Sequence, residues 1–308
     1  MAPFDQTAVE ILSHLLGPDP AESTCEAIRN DDEQKLRETS LKLRDLSTIS
    51  PKREAINRGK AGFLKLLLER DNTITEDLVA IACQRKDKDS LRTLLDFGWD
   101  INRPIHSAAS LLCLVSDDEK LTRWLVDNGA DVNARSTLDE PPLAVAITSG
   151  SIDVAHLLLS LGTDITHGNL LHCVAERENQ SEGAELAEIL ARKGADVNAY
   201  RHDNDVARPL RGMSKLYTPL HVACSRKNIP VARVLLRYGA DPHRMSLEAG
   251  RRAPPTALEI ARVRNDHELL DLLSMVGNLS PLPSSTTFRA SIFLVLVVFL
   301  YIVQGGLR

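Results

Sequence analysis

YTPLHVACSRKNIPVARVLLRYGAD, residues 217–241, is the stretch from which the fold can be read. Pro219 suits the first position of a helix, where its missing N–H removes no useful donor and its φ is already helical. Ala223 and Cys224, just inside that start, are small enough to let a neighbouring helix approach closely. A second amphipathic run ends in the paired Leu235 and Leu236. Gly239 follows where that helix must stop, because glycine takes the left-handed conformation without a Cβ penalty. The pattern predicts two short helices joined by a turn.

The same unit recurs along the chain. FGWDIN, NGADVN, LGTDIT, KGADVN and YGADPH place Asp100, Asp131, Asp164, Asp196 and Asp241 at separations of 31, 33, 32 and 45 residues by subtraction. Near-equal spacing with one stretched interval means tandem modules and one insertion. Large apolar pairs precede each segment (Leu94 with Leu95, Leu125 with Val126, Leu158 with Leu159, Ile189 with Leu190), and each second helix should end at its glycine: Gly98, Gly129, Gly162, Gly194 and Gly239. RPIHSAAS, EPPLAVAIT, GNLLHCVAE, YTPLHVACS and PPTALEIAR supply the openings, with Pro104, Pro142 and Pro219 as helix starts. First helices are expected near residues 53–58, 77–85, 104–112, 142–149, 169–177, 218–226 and 255–263.

Residues 217–241 closely resemble the ankyrin repeat, whose unit joins a Thr-Pro-Leu-His-x-Ala opening to a Gly-Ala-Asp turn. The resemblance covers about residues 50–277. It implies an all-α ankyrin-repeat solenoid of about seven helix-turn-helix repeats with short β-hairpin loops, to which the sequence adds a C-terminal apolar helix. The family histidine stands at His106, His172 and His221 and is replaced by Ala80, Ala144 and Glu259, so the hydrogen-bond ladder it implies is interrupted. From Asp100 to His106 and from Asp164 to His172 are 6 and 8 residues, against 13 from Asp131 to Ala144, so two hairpins are expected to be stubs. One helix pair cannot hide its own apolar flank, and neighbouring pairs must stack. Residues 21–49 and 266–277 read as the two end caps.

An aromatic content of 4% with abundant Leu and Ala suits thin helical layers better than a sheet sandwich. The net charge of -5, with Lys and Arg spread throughout, gives no general attraction to nucleic acid. Five cysteines without a CxxC pair argue against a disulfide framework or zinc cluster, and Cys83, Cys173 and Cys224 read as buried thiols between helices. No Gly-rich phosphate loop, HExxH or GxSxG occurs, so no catalytic, cofactor or metal residue is assigned. The expected function is a non-catalytic scaffold or adaptor that binds a partner protein on the concave face and hairpin loops, as the resemblance implies. The alternative is a substrate-recognition or regulatory subunit of an enzyme complex such as a ubiquitin ligase, although neither end shows an F-box-like or SOCS-like segment.

Binding is expected where the repeat is broken. YRHDNDVARPLRGMSK (200–215) and HRMSLEAGRRAPP (243–255) bring Arg201, Arg208, Arg211, Arg251 and Arg252 to one edge. They read either as a dock for an acidic or phosphorylated segment or as two solvated, mobile loops. The long hairpin with Arg135 and Leu138 is a second candidate surface. Trp99, in the Ala slot of its turn, is read as an exposed contact or as packing, whereas Trp124 lies inside a helix and is expected to pack. Asn102, Asn133 and Asn198 are, by the resemblance, either hydroxylation sites or turn-stabilising amides.

After a Pro- and Ser-rich stretch, NLSPLPSSTT, the sequence becomes FRASIFLVLVVFLYIVQGGLR. Eighteen uncharged residues separate Arg289 from Arg308, and Ile292 to Val303 are continuously apolar. As a helix this window spans about 27 Å, against about 30 Å of hydrocarbon. One reading is a tail anchor in an intracellular membrane, inserted through Ile292 to Val303. The others are a buried cover on the last repeat and an unselected extension. The expected division is a helical cap at 1–49, repeats at 50–277, a linker at 278–289 and an apolar tail at 290–308. MAPFDQTAVEILSHLL carries an early acidic residue, no basic leader and an apolar stretch interrupted by Ser13 and His14, so it does not read as a secretory signal and the repeats are expected in cytoplasm or nucleus.

Overall fold

A computed structural model of the chain describes residues 19–43, 49–105, 110–136, 139–203 and 215–275. The chain forms two units, Met1–Asp131 and Val132–Arg308. In the first, the helix pairs are α1 (Pro20–Arg29) with α2 (Glu33–Ser40), α3 (Ile49–Asn57) with α4 (Ala61–Arg70), α5 (Glu76–Gln84) with α6 (Lys88–Asp96), and α7 (Leu111–Leu114) with α8 (Glu119–Asp127). In the second they are α9 (Pro142–Thr148) with α10 (Ile152–Ser160), α11 (Leu170–Glu176) with α12 (Gln180–Arg192), α13 (Pro219–Arg226) with α14 (Ile229–Arg237), and α15 (Ala257–Val263) with α16 (His267–Met275). The short strands β1 (Met245–Glu248) and β2 (Arg251–Thr256) form an antiparallel hairpin between α14 and α15.

Within each unit first helices pack on first helices: α1, α3, α5 and α7 in series, then α9, α11, α13 and α15 in series. Ala82, Ala146, Val174, Ala223 and Ala261 hold the same slot in five first helices, and none is more than 1% exposed. A larger side chain there would push the layers apart. Gly183 meets the same constraint in α12: a Cβ would stand 3.1 Å from the Val174 carbonyl and 3.2 Å from Val231 Cγ2. Second helices start on short polar caps. Asp32, Asp118, Asn179, Asn228 and Asp266 each accept the backbone N–H three residues on, an interaction that contributes about 1 kcal/mol. The glycines that end second helices, Gly98, Gly129, Gly162, Gly194 and Gly239, all have φ between 80° and 95°.

Two polar seams tie successive layers. His172 Nε2 donates to the Tyr217 carbonyl at 2.9 Å, and His221 Nε2 donates to the Pro255 carbonyl at 3.0 Å, the tautomer following from the acceptors. Thr218 Oγ1 lies 2.7 Å from His221 Nδ1 and completes a capping box. Where Glu259 replaces histidine it keeps the capping half of this role, accepting from Thr256 N at 2.7 Å. The second seam runs through turn asparagines. Asn102 and Asn198 each donate to the glycine carbonyl of the next turn (3.1 and 3.0 Å) and accept from the N–H of its aspartate (2.8 and 2.9 Å). Asn133 likewise accepts from Asp164 N at 2.9 Å. These amides clasp neighbouring turns.

Six of the seven expected first helices fall within a few residues of their expected positions. The exception is the third, because Pro104 does not start a helix; α7 begins at Leu111 behind Ser110. His221 stands 20 residues before Asp241, and Ala144 and Ala80 stand 20 before Asp164 and Asp100; the same count back from Asp131 reaches Leu111 rather than His106. His106 therefore does not fill the histidine slot, and the segment after Asp100 is not a stub; His106 itself lies outside the described residues. The segment 243–255 is an ordered hairpin rather than a mobile loop, closed by Ala249 and Gly250 at φ 49° and 74°. Cys83, Cys173 and Cys224 are buried as expected, and burial pushes their thiols up to about 12, 11 and 12. The C-terminal apolar segment lies outside the described residues.

Burial holds His172 down at a pKa of about 3 despite the Tyr217 carbonyl, and burial also lowers His221. An unfolded histidine titrates near 6.5, so below that pH the unfolded chain takes up protons that the folded chain refuses. Stability present above pH 6.5 is therefore lost as the pH falls towards 3, by up to about 1.4 kcal/mol per pH unit for each such histidine. Thermal melts between pH 7 and pH 5 should show a steeper decline for the native chain than for His172→Gln. Equal slopes would contradict this account.

Candidate protein-binding face

In the second unit the ends of α9, α11 and α13, the turns before α9, α13 and α15, and Ile260 of α15 border two adjoining clefts. One, of about 560 Å³, is bordered by Glu140, Glu176, Arg201, Tyr217, Arg226 and Ile260 among others. The other, of about 600 Å³, is bordered by Thr148, Ser149, Arg177 and Asn179 and shares Glu176 and Arg226 with the first. The floor is fixed by buried polar side chains. Arg177, 8% exposed, donates to the carbonyls of Ala146, Ile147 and Gly150 at 3.2, 2.7 and 3.2 Å. Its Nε and Nη2 are held by Glu182 at 2.9 and 2.5 Å. One side chain thereby satisfies carbonyls at the end of α9 that the helix itself leaves open. Asn228, 1% exposed, caps α14 and donates to the Ala175 carbonyl of α11 at 3.3 Å.

Of the arginines expected at this edge, Arg201 is the most committed. Its guanidinium is bound by Glu176, and its backbone N–H donates to the Tyr217 carbonyl at 2.9 Å. Burial works against its charge, but the hydrogen bond and charge of Glu176 raise its pKa on balance. Arg244 stacks 4.7 Å from the Tyr200 ring, whose hydroxyl donates to the Met245 carbonyl at 2.7 Å. Lys215 reaches the Pro254 carbonyl at 2.9 Å and Glu248 at 3.2 Å. Arg226, Arg251 and Arg252 are exposed, and none has a side-chain partner among the described residues. Arg208, Arg211 and Leu138 lie outside the described residues.

Elsewhere in this unit Arg135 bonds Asp139 at 2.9 Å and His167 of the next turn at 3.0 Å, so part of its donor capacity is spent within the unit. In the first unit Trp99 is 6% exposed and Arg103 lies over its ring at 4.9 Å; the expected exposed contact is corrected to a buried ring covered by a cation. Trp124 is half-buried, with Arg92 5.8 Å from its ring. Arg177, Glu182 and Asn228 had no place in the sequence reading. Counting five residues on from the histidine slot would have put Arg177 in register with Arg226 and Arg264, yet only Arg177 is buried.

Among the described residues no cluster of three or more His, Cys, Asp or Glu side chains is placed to hold a metal ion, and no helix is long and apolar enough to cross a membrane. A stack of helix pairs keyed by histidine and asparagine seams defines the class. Residues 79–169 match the family described as ankyrin repeats in three copies, and residues 215–246 match the single ankyrin repeat. The chain is an ankyrin-repeat protein.

Among its relatives is the ankyrin repeat protein YahD of Escherichia coli, 25% identical over 206 residues, covering 64% of this chain and 94% of that protein. The human ankyrin repeat and SOCS box protein 16 is 31% identical over 174 residues, 52% of this chain and 35% of that one. The chain spans between 10% and 35% of the length of the curated relatives other than YahD. The crystal structure of the human ASB11 ankyrin repeat domain superposes with a TM-score of 0.54 at 20% identity, covering 76% of this chain and all of that one, a likeness of fold. Ankyrin repeats are protein-interaction modules, and the chain carries such a domain.

If Arg201 and Glu176 form one unit in the cleft wall, truncating either should cost nearly as much as truncating both. Chemical denaturation of Arg201→Ala, Glu176→Ala and the double variant should give a coupling of about 1 kcal/mol. Additive losses would show that the pair contributes nothing jointly.

Proposed function

We propose that the chain is a non-catalytic adaptor whose second unit grips an acidic or phosphorylated segment of a partner protein. Exposed Arg226, which borders both clefts, and exposed Arg251 and Arg252 on β2, the strand that brings Pro255 to the first cleft, carry this reading, since none has a side-chain partner among the described residues. A guanidinium presents paired donors that match carboxylate and phosphate. A prebuilt groove also loses little conformational entropy when a guest enters. Arg201 contributes by holding the wall through Glu176, and Arg208, Arg211, Leu138 and Arg135 stay in the proposal only as secondary positions. Residues 50–277 would act as the binding domain, behind a cap at 1–49.

The relatives named for a SOCS box favour a second reading, in which the same face presents a substrate to a ubiquitin ligase. A tether is a further part of the proposal. It rests on composition alone, the uncharged run through Ile292 to Val303 after the stretch 278–289.

Recovery of bound proteins from cells should separate these readings. The full chain should enrich a partner that is lost with Arg226→Ser/Arg251→Ser/Arg252→Ser, while the variant keeps the native melting temperature. Undiminished recovery would remove the acidic dock. Ligase subunits in the recovered set would favour the second reading. Removing residues 284–308 should release the chain from membranes, and extraction of the full chain by alkaline carbonate would end the tether proposal.

A further inference from the structure

The hairpin β1–β2 has one edge in use and one open. Leu216 and Leu247 exchange both backbone hydrogen bonds, at 2.7 and 2.9 Å, so Leu247 directs its N–H and C=O away from β2. The register pairs Ser246 with Ala253, Leu247 with Arg252 and Glu248 with Arg251. Antiparallel ladders alternate, so Ser246 and Glu248 bond across to β2, and Arg252 turns its N–H and C=O outward from the hairpin. Among the described residues no backbone bond from outside the hairpin reaches Arg252. The edge is short. Pro254 and Pro255 have no N–H to offer, which confines further pairing to the stretch from Gly250 to Ala253.

What could lie along this edge is limited by charge. Arg251 and Arg252 are both exposed, and as neighbours on a strand they point to opposite faces. A strand laid beside β2 would place one side chain next to each. Two copies of this chain pairing edge to edge would bring the same arginines together, and like charges directly across a ladder repel. An added strand with two successive acidic residues puts one carboxylate beside each guanidinium. Glu248 faces Arg251 across the ladder but is held by Lys215 at 3.2 Å and forms no ion pair with Arg251 among the described residues, so the outer edge still lacks an acidic neighbour.

We propose that β2 takes a partner's extended segment as an added strand, with two successive acidic residues set against Arg252 and Arg251. Main-chain bonds to Arg252 fix the register, and the arginines select the sequence. This rests on the reading that the second unit docks acidic segments, and adds how one of them is held.

The probe is acetyl-Thr-Val-Glu-Glu-Val-Thr-amide, titrated against the full chain. Binding should slow hydrogen exchange at the Arg252 amide. Affinity should fall about tenfold for Arg251→Ser/Arg252→Ser and be largely kept by Arg251→Lys/Arg252→Lys. It should also fall about tenfold when the first glutamate of the peptide, the residue opposite Arg252, is N-methylated, and a Lys-Lys peptide should not bind. If N-methylation changes nothing while the serine variant still binds weakly, strand addition is wrong and acidic docking stands. If the serine variant binds as well as the native chain, both are wrong. An Arg252 amide already protected before peptide is added means that the edge is occupied by this chain or a second copy, which also overturns the proposal.

Discussion

Everything in this structure depends on one restriction: a pair of short helices has more apolar surface than it can cover by itself. The only surface of matching shape nearby is another such pair, so burial and repetition are the same requirement. The slot of small residues expresses it most directly. Ala82, Ala146, Ala223 and Ala261 hold one slot of first helices that pack on one another in series, and each is fully buried. With aromatics at 4%, the interior relies on Leu and Ala, and layers this thin leave little room for larger groups. Apolar contact, however, has no direction and would tolerate layers that slide or twist. The polar seams remove that freedom. A histidine or asparagine that reaches a particular carbonyl in the next repeat is satisfied only when the two layers are in register, and a missed bond would leave a buried polar group without a partner. Stability comes from the apolar layer, and geometry comes from the seams.

The same seams shape the binding face. His172 and His221 lie beneath the turns that border the first cleft, and their acceptors, the Tyr217 and Pro255 carbonyls, belong to residues that line it. Arg177 does the equivalent work under the second cleft by tying the end of α9 to Glu182. Neither cleft therefore has to be assembled when a guest arrives. Rigidity of this kind lowers the entropic cost of association, and it also means that the face cannot adapt far to a guest of the wrong shape.

Most of the fold was legible in the sequence because it follows from local chemistry that repeats. Glycine at a positive φ, a short polar cap and a paired apolar ending are each recognisable without knowing what they touch. Errors arose where a locally plausible signal conflicted with the period. Pro104 looks like a helix start and His106 like the family histidine, but the count from Asp131 places Leu111 in that slot, and the period decided the outcome. Trp99 looked available because its slot normally holds alanine; the ring is instead folded under Arg103, a contact that depends on the shape of the turn rather than on residue type. Side chains that act across repeats were the least legible. Nothing in the letters separates Arg177 from Arg226, which stand at the same place in successive repeats.

That last contrast is the most informative about function. Arg177 is buried because Glu182 and three open carbonyls surround it, and a charge placed there is stable only with such company. Arg226 occupies the equivalent place one repeat later, where no described residue meets it, and it stays in solvent. Both arginines obey the same period, so the period cannot be what distinguishes a structural charge from a free one. The distinction lies in whether neighbouring layers supply matching groups. In an array of near-copies, the places open to outside chemistry are those where a repeating position receives a side chain that its neighbours do not answer. By that criterion the end of α13 and the outer strand of the hairpin are open to outside chemistry, because no described residue bonds the side chains of Arg226, Arg251 and Arg252 there.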